Sequence, residues 1–526
     1  MPLTLASPCI LSLSLSLSLP PGLLARGLAM VPRAMTSLHA SSSLRPYWLV
    51  AFKGHRQLRR PQAVGEALSA LLRTLSVEIQ GTLVGVSSIA PGADTLFAQA
   101  VMEMSLPWRA LLPVPLAEMQ RVFSATDWQI RERLLARATE IQIRGMACNG
   151  NEARLECGMD TVDQADLLIA VWDGSAAEEP GCTGDIVAYA RSIGKPLILL
   201  NPDTLEQRRE NWRALPFVDP ELRYLNSLEE GATAPALSTP VPPNLVRFFA
   251  KVDRMATRTA PNFRRWVASS LVLNSGATLV VAFIIAFALR LPILDALVFI
   301  MTAGAMGAGF YLKFRKVHER WIHCRVAAEI CRAAIATWEL PRVVLPDLQG
   351  LGETFERLTT SLRMMHLCAR PATPPALKQI RERYLHQRLE DQVHYHQARA
   401  VRLARLRQRL IALFWFFSTL AVLRGLFAGL YGTEGLGLEV SRTLNHFLPL
   451  ALPCLAGCAL ALISVFDLNG QLAHSRALTA FLVRARLEIQ GCQNLYALQR
   501  AIAHTEQYLA REIADWFTLS QDPRYG

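Results

Sequence analysis

The stretch ADLLIAVWDGSAAEEPGCTGDIVAYARSIGKPLILLN, residues 165–201, decides the fold of the first half of the chain. Its two apolar runs, 167–172 and 197–200, are typical of buried parallel strands. Between the runs, the small residues of 180–185 open a predicted helix, so the stretch forms a βαβ unit. The free N–H groups and the dipole at such a helix start can receive an anion, although an ordinary turn would have the same sequence.

Strands and helices continue to alternate upstream of this unit. The hydrophobic patterns predict strands at 47–54, 82–87, 108–114 and 141–144, and helices at 63–80, 94–104, 115–123 and 151–164. This alternation predicts an α/β Rossmann-like domain over residues 46–203, with a mostly parallel sheet that is covered on both faces.

Three polar, glycine-containing turns follow three of these strands. Because ligands of parallel sheets bind at the carboxyl ends of the strands, we expect the turns to converge and to bind a nucleotide-type ligand. The candidate binding residues are Gly54, His55, Arg56, Ser87, Ser88, Gly92, Ala93, Asp94, Asp173, Gly174, Gly181, Cys182, Thr183, Gly184 and Asp185. Each turn also has a purely structural interpretation, as a solvated loop, a helix cap or a first-turn charge that complements the helix dipole.

The motifs in these turns resemble those of a known family. GHR (54–56) follows the first strand, S-x-x-A-x-G-A-D (87–94) follows the second, and D-x-L-I-A-V-W-D-G (166–174) with P-G-x-T-x-D-I-V (180–187) comes later. In this order they resemble the SLOG superfamily. That Rossmann-like group includes the cytokinin-activating LOG phosphoribohydrolases, the DNA-processing protein DprA and sensor domains of bacterial conflict systems.

The resemblance implies a nucleotide-derived ligand and no required cofactor. The turn at 181–184 would hold a phosphate, and Asp94 or Asp185 would meet a ribose hydroxyl. The LOG enzymes carry a fuller P-G-G-x-G-T-x-x-E turn, in which this chain has Cys182, Asp185 and Ala188 in place of the second glycine, the Thr and the Glu. The resemblance therefore favours ligand binding over hydrolysis, for which Asp94 and Asp185 would be the catalytic carboxylates.

The second half of the chain contains four apolar runs that are long enough to cross a bilayer. They lie at 267–289, 294–312, 410–431 and 447–466 and form two hairpins. Lys and Arg cluster at the inner ends of the runs, which accounts for the net charge of +12 without nucleic-acid binding. The positive-inside rule then predicts a multi-pass protein of the inner (cytoplasmic) membrane, with both termini in the cytoplasm. Arg424, within the third run, is expected to snorkel to an interface or to serve a pore.

Amphipathic helices follow both hairpins. In the first helix, Arg325, Glu329 and Arg332 share one face and can form an ion-pair ladder, a pattern typical of solvated faces or oligomer contacts. The hairpin followed by R-x-x-A-E-x-x-R (325–332), and the D-Q-x-x-Y segment (391–395), resemble the SLATT group of two-transmembrane effector modules in bacterial defence. This resemblance implies a pore-forming or membrane-perturbing effector. The small-residue face of the second run favours a homo-oligomer.

The remaining segments complete the predicted organisation. Residues 1–45 are expected to be disordered, or to precede a true start at Met30 or Met35, and 204–260 are expected to be a poorly ordered linker. The membrane half divides into 261–345 (first hairpin and helix), 346–408 (cytoplasmic helical segment) and 409–526 (second hairpin and C-terminal helices). The scattered cysteines predict reduced packing residues, with no disulfide framework and no metal site.

Three functions remain open from the sequence. The first is a membrane effector of bacterial defence or stress signalling, whose cytoplasmic SLOG-like domain senses a nucleotide-derived ligand and controls the helices. The second is a membrane-tethered enzyme that cleaves the N-glycosidic bond of a nucleotide. The third is a transporter or structural membrane protein with a vestigial first domain.

Overall fold

The computed structural model describes residues 42–144, 150–176, 179–215, 218–229, 240–314, 317–346, 352–370, 375–432 and 437–521. The chain divides into two compact units at Ser41 and Ser42, and everything described below belongs to the second. The predicted disorder or late start of the first 41 residues therefore lies outside the described residues.

A seven-stranded sheet forms the first half of the described chain, in the order β4-β3-β2-β1-β5-β6-β7. All neighbouring strands are parallel except β6 and β7. The strands are β1 Tyr47–Gly54, β2 Thr82–Ser87, β3 Trp108–Leu112, β4 Glu140–Ile143, β5 Leu167–Val171, β6 Leu197–Leu200 and β7 Gln207–Glu210. The helices among them are α1 Pro61–Glu78, α2 Ala93–Glu103, α3 Leu116–Val122, α4 Ala125–Leu135, α5 Gly150–Asp163 and α6 Thr183–Ser192. This architecture confirms the predicted α/β fold class.

Both faces of the central strand are buried, which explains its continuous apolar run. Along β1, Trp48, Val50 and Phe52 pack into a core with α1 and α2, whereas Leu49 and Ala51 pack on the opposite face with α5 and α6. Because successive side chains of a strand point to opposite faces, a strand covered on both sides needs apolar residues at nearly every position.

The prediction of a poorly ordered linker at 204–260 is wrong for the residues that the structure describes there. Strand β7 pairs antiparallel with β6 at the sheet edge, helix α7 spans Pro220–Ser227, and helix α8 begins at Pro243. The sequence of β7, QRRE, is exposed and polar, so it lacks the alternation that marks a strand. Leu44, within the stretch 1–45 that was expected to be disordered, is also buried, against α7 and α8.

Four helices of the second half are long and apolar enough to cross a membrane, as predicted. They include the apolar parts of α8 Pro243–Phe287, α9 Pro292–Phe314, α13 Asp391–Tyr431 and α15 Leu448–Val465. Helix α8 is one continuous helix of 45 residues, and α13 is one of 41. At 1.5 Å per residue these helices are about 67 and about 61 Å long, so each extends well beyond a bilayer core of about 30 Å.

The parts of α8 and α13 outside the apolar runs pack into a group of helices that we name the helical base. It comprises α7, residues 243–256 of α8, α10 Val317–Ala336, α11 Glu356–Ala369, α12 Leu377–Tyr384, the π-helical segment Leu385–Glu390, α16 Leu468–Gly491 and α17 Leu495–Gln521. The short helix α14 Leu438–Arg442 follows the third apolar run. The predicted cytoplasmic helical segments therefore form one packed body rather than separate modules.

Helix α11 of the base is fixed to the amino ends of the two central strands. Arg357 donates two hydrogen bonds to Asp166, at 2.9 and 2.6 Å, and its guanidinium carbon lies 3.7 Å from the centre of the Trp48 ring. Asp166 in turn accepts from the backbone N–H of Leu49 at 2.7 Å. A bidentate, half-buried pair of this kind is geometrically specific, so the sheet and the helical base are joined at a defined orientation.

Candidate functional site

The strand order places a crevice between the carboxyl ends of β1 and β5. From β1 the chain proceeds outward through β2, β3 and β4, and it returns to the other side of β1 with β5. The connections that follow β1 and β5 therefore diverge to opposite sides, which is the topological switch point at which open α/β sheets bind their ligands.

The turns after β1, β2 and β5 converge here, as the sequence predicted. Nε2 of His55 accepts a hydrogen bond from the backbone N–H of Asp173 at 3.2 Å and lies 3.1 Å from Oδ1 of the same residue. The backbone carbonyl of His55 accepts from the N–H of Ala93 at 3.0 Å. Hydrogen bonds with Ser175, the largest cause, and the nearby His55 lower the pKa of Asp173 to about 2. Asp173 is therefore a carboxylate at the mouth of the crevice.

Two glycines permit this close approach. A Cβ atom at Gly54 would lie 2.4 Å from the Cβ of Ala93, and one at Gly92 would lie 2.3 Å from the carbonyl oxygen of Arg56. Gly92 also has a positive φ of 78°, a conformation that side chains disfavour. The glycines of the first two motifs thus let the two turns touch.

Several predicted binding residues lie beneath the crevice rather than in it. Asp94 is completely buried, and its Oδ1 accepts from the hydroxyl of Ser88 at 2.7 Å. Burial raises the pKa of the Asp94 carboxyl, opposed by Lys53 and by the Ser88 hydrogen bond. The hydroxyl of Ser87 accepts from the indole N–H of Trp108 at 2.9 Å. The Ser87 and Ser88 hydroxyls and Oδ1 of Asp94 are engaged inside the domain, so these side chains support the loops. Oδ2 of Asp94 is buried and has no hydrogen-bond partner among the described residues.

The start of α6 is organised by its own residues. Oδ2 of Asp185 accepts from the backbone N–H of Gly181 at 3.0 Å, and Cys182 occupies the cap position. Gly181 has a φ of 81°, and a Cβ atom there would lie 2.6 Å from the backbone nitrogen of Leu155. Thr183 is buried. Asp185 therefore closes the turn. Gly174, on the same connection, has a positive φ of 92° and would meet no atom within 4 Å if it carried a Cβ, and Gly184 is the second residue of α6.

Sequence reasoning missed two cationic side chains at this edge. Lys53, the penultimate residue of β1, lies half-buried on the α5 side and acts electrostatically on the pKa values of Asp94 and Cys157. Arg154 lies in the first turn of α5, with its Cβ against the Gly181 turn. Burial, and next the charge of Arg56, lower the pKa of Arg154. Lys53 lies immediately before the GHR motif, and this position in the sequence could have identified it as a candidate binding residue.

The three cations around the crevice form no ion pair within the described residues, although Glu179 acts electrostatically on Arg154. In the described part of the chain, no carboxylate lies within ion-pair distance of Lys53, Arg56 or Arg154. The charge of Arg56 lowers the pKa of Arg154, so these like charges raise the electrostatic free energy of the empty site, and an anionic ligand would lower it. The crevice therefore combines three cations and small residues at its closest backbone approaches with the Asp173 carboxylate at its mouth.

The predicted ladder on α10 is present, but it is not a solvated face. Glu329 pairs with Arg332 and, at 3.1 Å, with Arg325, and it lies 3.6 Å from Arg388 of the π-helical segment. Arg388 also binds Glu506 of α17 through two hydrogen bonds of 2.9 and 2.7 Å. Arg388 and Glu506 are 4 and 1 % exposed, so the interpretation as a solvated or oligomer-contact surface is wrong for this face.

In the third apolar run, Arg424 donates to the carbonyl oxygen of Leu444 at 2.8 Å, across the second hairpin.

Among the residues that the structure describes, no group of three His, Cys, Asp or Glu side chains could hold a metal ion. The eight cysteines described are free thiols, of which Cys157, Cys324, Cys331 and Cys492 are buried and Cys368 is exposed. No protein-family model and no curated protein matches the sequence.

The fold and the site together define a class of protein. It is a multi-helix protein with four helices capable of crossing a membrane, joined through a helical base to a Rossmann-like sheet with a basic crevice at its switch point.

Proposed function

We propose that the chain is a membrane effector in which a nucleotide-derived ligand binds the crevice and controls the four apolar helices. The observation that carries the proposal is the group of three cations at the switch point, Lys53, Arg56 and Arg154, which form no ion pair within the described residues. Phosphate groups of a nucleotide would neutralise this charge, and the N-terminus of α6 adds a favourable dipole. In this proposal the crevice faces the cytoplasm of a bacterial cell, and the effector acts on the inner membrane.

A route for the signal supports the proposal. Strands β1 and β5 bear the crevice at their carboxyl ends, and their amino ends are bound to α11 through Asp166 and Arg357. Helix α11 packs with α10 and the buried part of α8. Because α8 continues without interruption into its apolar run, a rearrangement of the base would move a membrane helix. A ligand that binds two arrangements of this body with different affinity would shift their populations. That shift would open or close a pore, or disturb the packing of the bilayer.

The enzyme alternative has less support. In an N-glycosidase, Asp94 and Asp185 would stabilise the oxocarbenium-like sugar. Asp94 is completely buried, and Asp185 is engaged by the backbone of Gly181. Asp94 is inaccessible to a substrate and one oxygen of the half-buried Asp185 is already engaged, so the binding function is favoured.

The test is thermal stabilisation of the full chain in detergent micelles by nucleotides, cyclic oligonucleotides, NAD and ADP-ribose. A compound that binds only the folded protein raises the melting temperature by mass action, by an amount that grows with its concentration. We expect at least one compound to do so without being consumed, and to change ion flux in liposomes that contain the protein. If no compound shifts the melt of well-folded protein, the sensor function is refuted, and if the compound is consumed, the enzyme function replaces it.

A matched pair of variants locates the site. Arg56→Gln removes a crevice charge, whereas Arg59→Gln removes a charge that is also exposed, three residues further along the same loop. A charge-assisted contact to a ligand contributes about 1.5–3 kcal/mol, so Arg56→Gln should weaken binding by about 10- to 100-fold. Equal affinities for the two variants would place the ligand elsewhere.

A further inference from the structure

A second group of cations lies on α13. This helix carries arginines at 399, 402, 405, 407 and 409, immediately before its apolar run begins at Leu410. After Asp391 the helix contains no acidic residue. The two acidic residues nearest its start, Glu390 and Asp391, lie more than two turns before Arg402.

The five arginines divide into two sets with different surroundings. Arg399 donates to Gln471 at 3.2 Å and Arg407 donates to Asn469 at 2.5 Å, so both turn toward α16. Arg402, Arg405 and Arg409 are exposed, and within the described residues none of the three has an acidic partner within 4 Å. The first set holds α13 to its neighbour, and the second set is free to bind another group.

The exposed set lies on the face of α13 that continues toward lipid. Residues 402, 405 and 409 are spaced by three and four, and the same face continues to Leu413 and Phe416, which are 45 and 61 % exposed. Leu410, about 100° around the helix from this face, is 8 % exposed and packs inside the bundle. The arginines therefore point outward from the bundle, in the direction in which the apolar side chains meet the acyl chains.

The height of the three arginines matches the headgroup region of a bilayer. From Arg402 to Arg409 the helix rises about 10 Å at 1.5 Å per residue, directly above the start of the apolar run. The polar region of each leaflet is about 5–8 Å thick, and long arginine side chains can reach along the helix toward it. Trp415 is 62 % exposed just below, where an aromatic side chain is favoured at the interface.

We propose that Arg402, Arg405 and Arg409 form a binding surface for the phosphate groups of anionic phospholipids. The ligand is a lipid headgroup rather than a free anion, because the three arginines are exposed and the surface is continuous with the exposed apolar face. This surface sets the depth of the third membrane helix and selects anionic lipid around it, independently of any ligand in the crevice.

The test is the relative association of spin-labelled phosphatidylglycerol and phosphatidylcholine with the full chain in mixed vesicles. The wild type should prefer phosphatidylglycerol, and Arg402→Gln, Arg405→Gln and Arg409→Gln combined should lose that preference. Each arginine beside an anionic membrane surface changes the association constant by about fivefold, so the loss of lipid preference in the triple variant should be measurable. Replacement of all three by Lys, which keeps the charge, should retain the preference.

A control variant with the same change in net charge is Arg73→Gln, Arg133→Gln and Arg137→Gln, at exposed positions of the α/β domain. It should keep the wild-type preference. If the α13 variant selects anionic lipid as the wild type does, or if the control loses as much, the proposal is overturned. Loss of the preference on addition of inorganic phosphate, but not of chloride at equal ionic strength, would instead assign the surface to a free anion.

Discussion

The buried pair of Arg388 and Glu506 offers the sharpest test of how the helical base holds together. Two hydrogen bonds join the pair, and the hydroxyl of Tyr384 donates to the same carboxylate at 2.8 Å. Burial alone would lower the pKa of Arg388, but the charge of Glu506 outweighs it and raises the pKa. The pair connects the π-helical segment, which leads into the third apolar run, with the C-terminal helix.

Arg388→Met removes the cation and keeps an unbranched apolar side chain in its place. The Glu506 carboxylate, 1 % exposed, then retains only the Tyr384 hydroxyl as a partner. Leaving a buried charge without its counter-charge costs about 3–5 kcal/mol, so the free energy of unfolding should fall by that amount. The measurement is urea unfolding of the full chain in micelles, followed by circular dichroism, with the slopes compared among variants.

Two further variants make this prediction refutable. Arg388→Met with Glu506→Met removes both charges, and its main remaining cost is the unpaired Tyr384 hydroxyl, about 1–3 kcal/mol. The double variant should therefore be more stable than Arg388→Met alone. Lys378→Met breaks an exposed pair with Glu382, whose atoms are 3.9 Å apart, and should cost less than about 0.5 kcal/mol. A loss below about 1 kcal/mol for Arg388→Met, or additive losses in the double variant, would refute the reasoning.

Three other changes test the sheet and its attachment to the base. Arg357→Gln leaves Asp166 without its bidentate partner, so the free energy of unfolding should fall by about 3 kcal/mol and amide hydrogen exchange in α11 should become faster. Unchanged exchange would contradict the attachment of α11 to the sheet through this pair. Gly92→Ala should destabilise the domain by more than about 1 kcal/mol, because the new Cβ would lie 2.3 Å from the carbonyl oxygen of Arg56 and φ at this position is positive. An unchanged melting temperature would argue against the close approach of the two turns. Asp94 has a raised folded pKa, so its contribution to stability is complete below about pH 4 and is lost as the pH rises through that raised value. Asp94→Asn should reduce the fall in melting temperature as the pH rises through this range. If the melting temperature of the variant falls as steeply with pH as that of the wild type, the raised pKa of Asp94 is not the cause.

The convergence of the turns could be predicted because it depends on local rules. Parallel strands of a βαβ series end at one edge, so GHR, S-x-x-A-x-G-A-D and the turn after β5 had to meet there. The roles of individual side chains could not be predicted in the same way. Whether Asp94 faces solvent depends on how deeply α2 packs against β1, and that depth is set by contacts among residues far apart in the chain.

Some elements escaped prediction for identifiable reasons. Strand β7 forms because the edge of β6 offers hydrogen bonds to any extended backbone, so its polar sequence carried no signal. Helix α4 was missed because its hydrophobic pattern is weak. It begins at a cap in which the Ser124 hydroxyl accepts from the N–H of Asp127 at 3.1 Å.

The sequence by itself determined the features that follow from periodicity and length. Continuous apolar runs bounded by turns specify buried strands, and runs of about 20 apolar residues specify helices of membrane-spanning length, because both depend on the local cost of exposing apolar surface. Only the tertiary structure decided which charges are paired. In the sequence, Glu329 and Arg325 form the pattern of a surface ladder, yet Arg388, some sixty residues away in the chain, lies 3.6 Å from Glu329. Arg402, on a neighbouring helix, is exposed. The environment of a charge depends on long-range packing, and spacing along one helix does not contain that information.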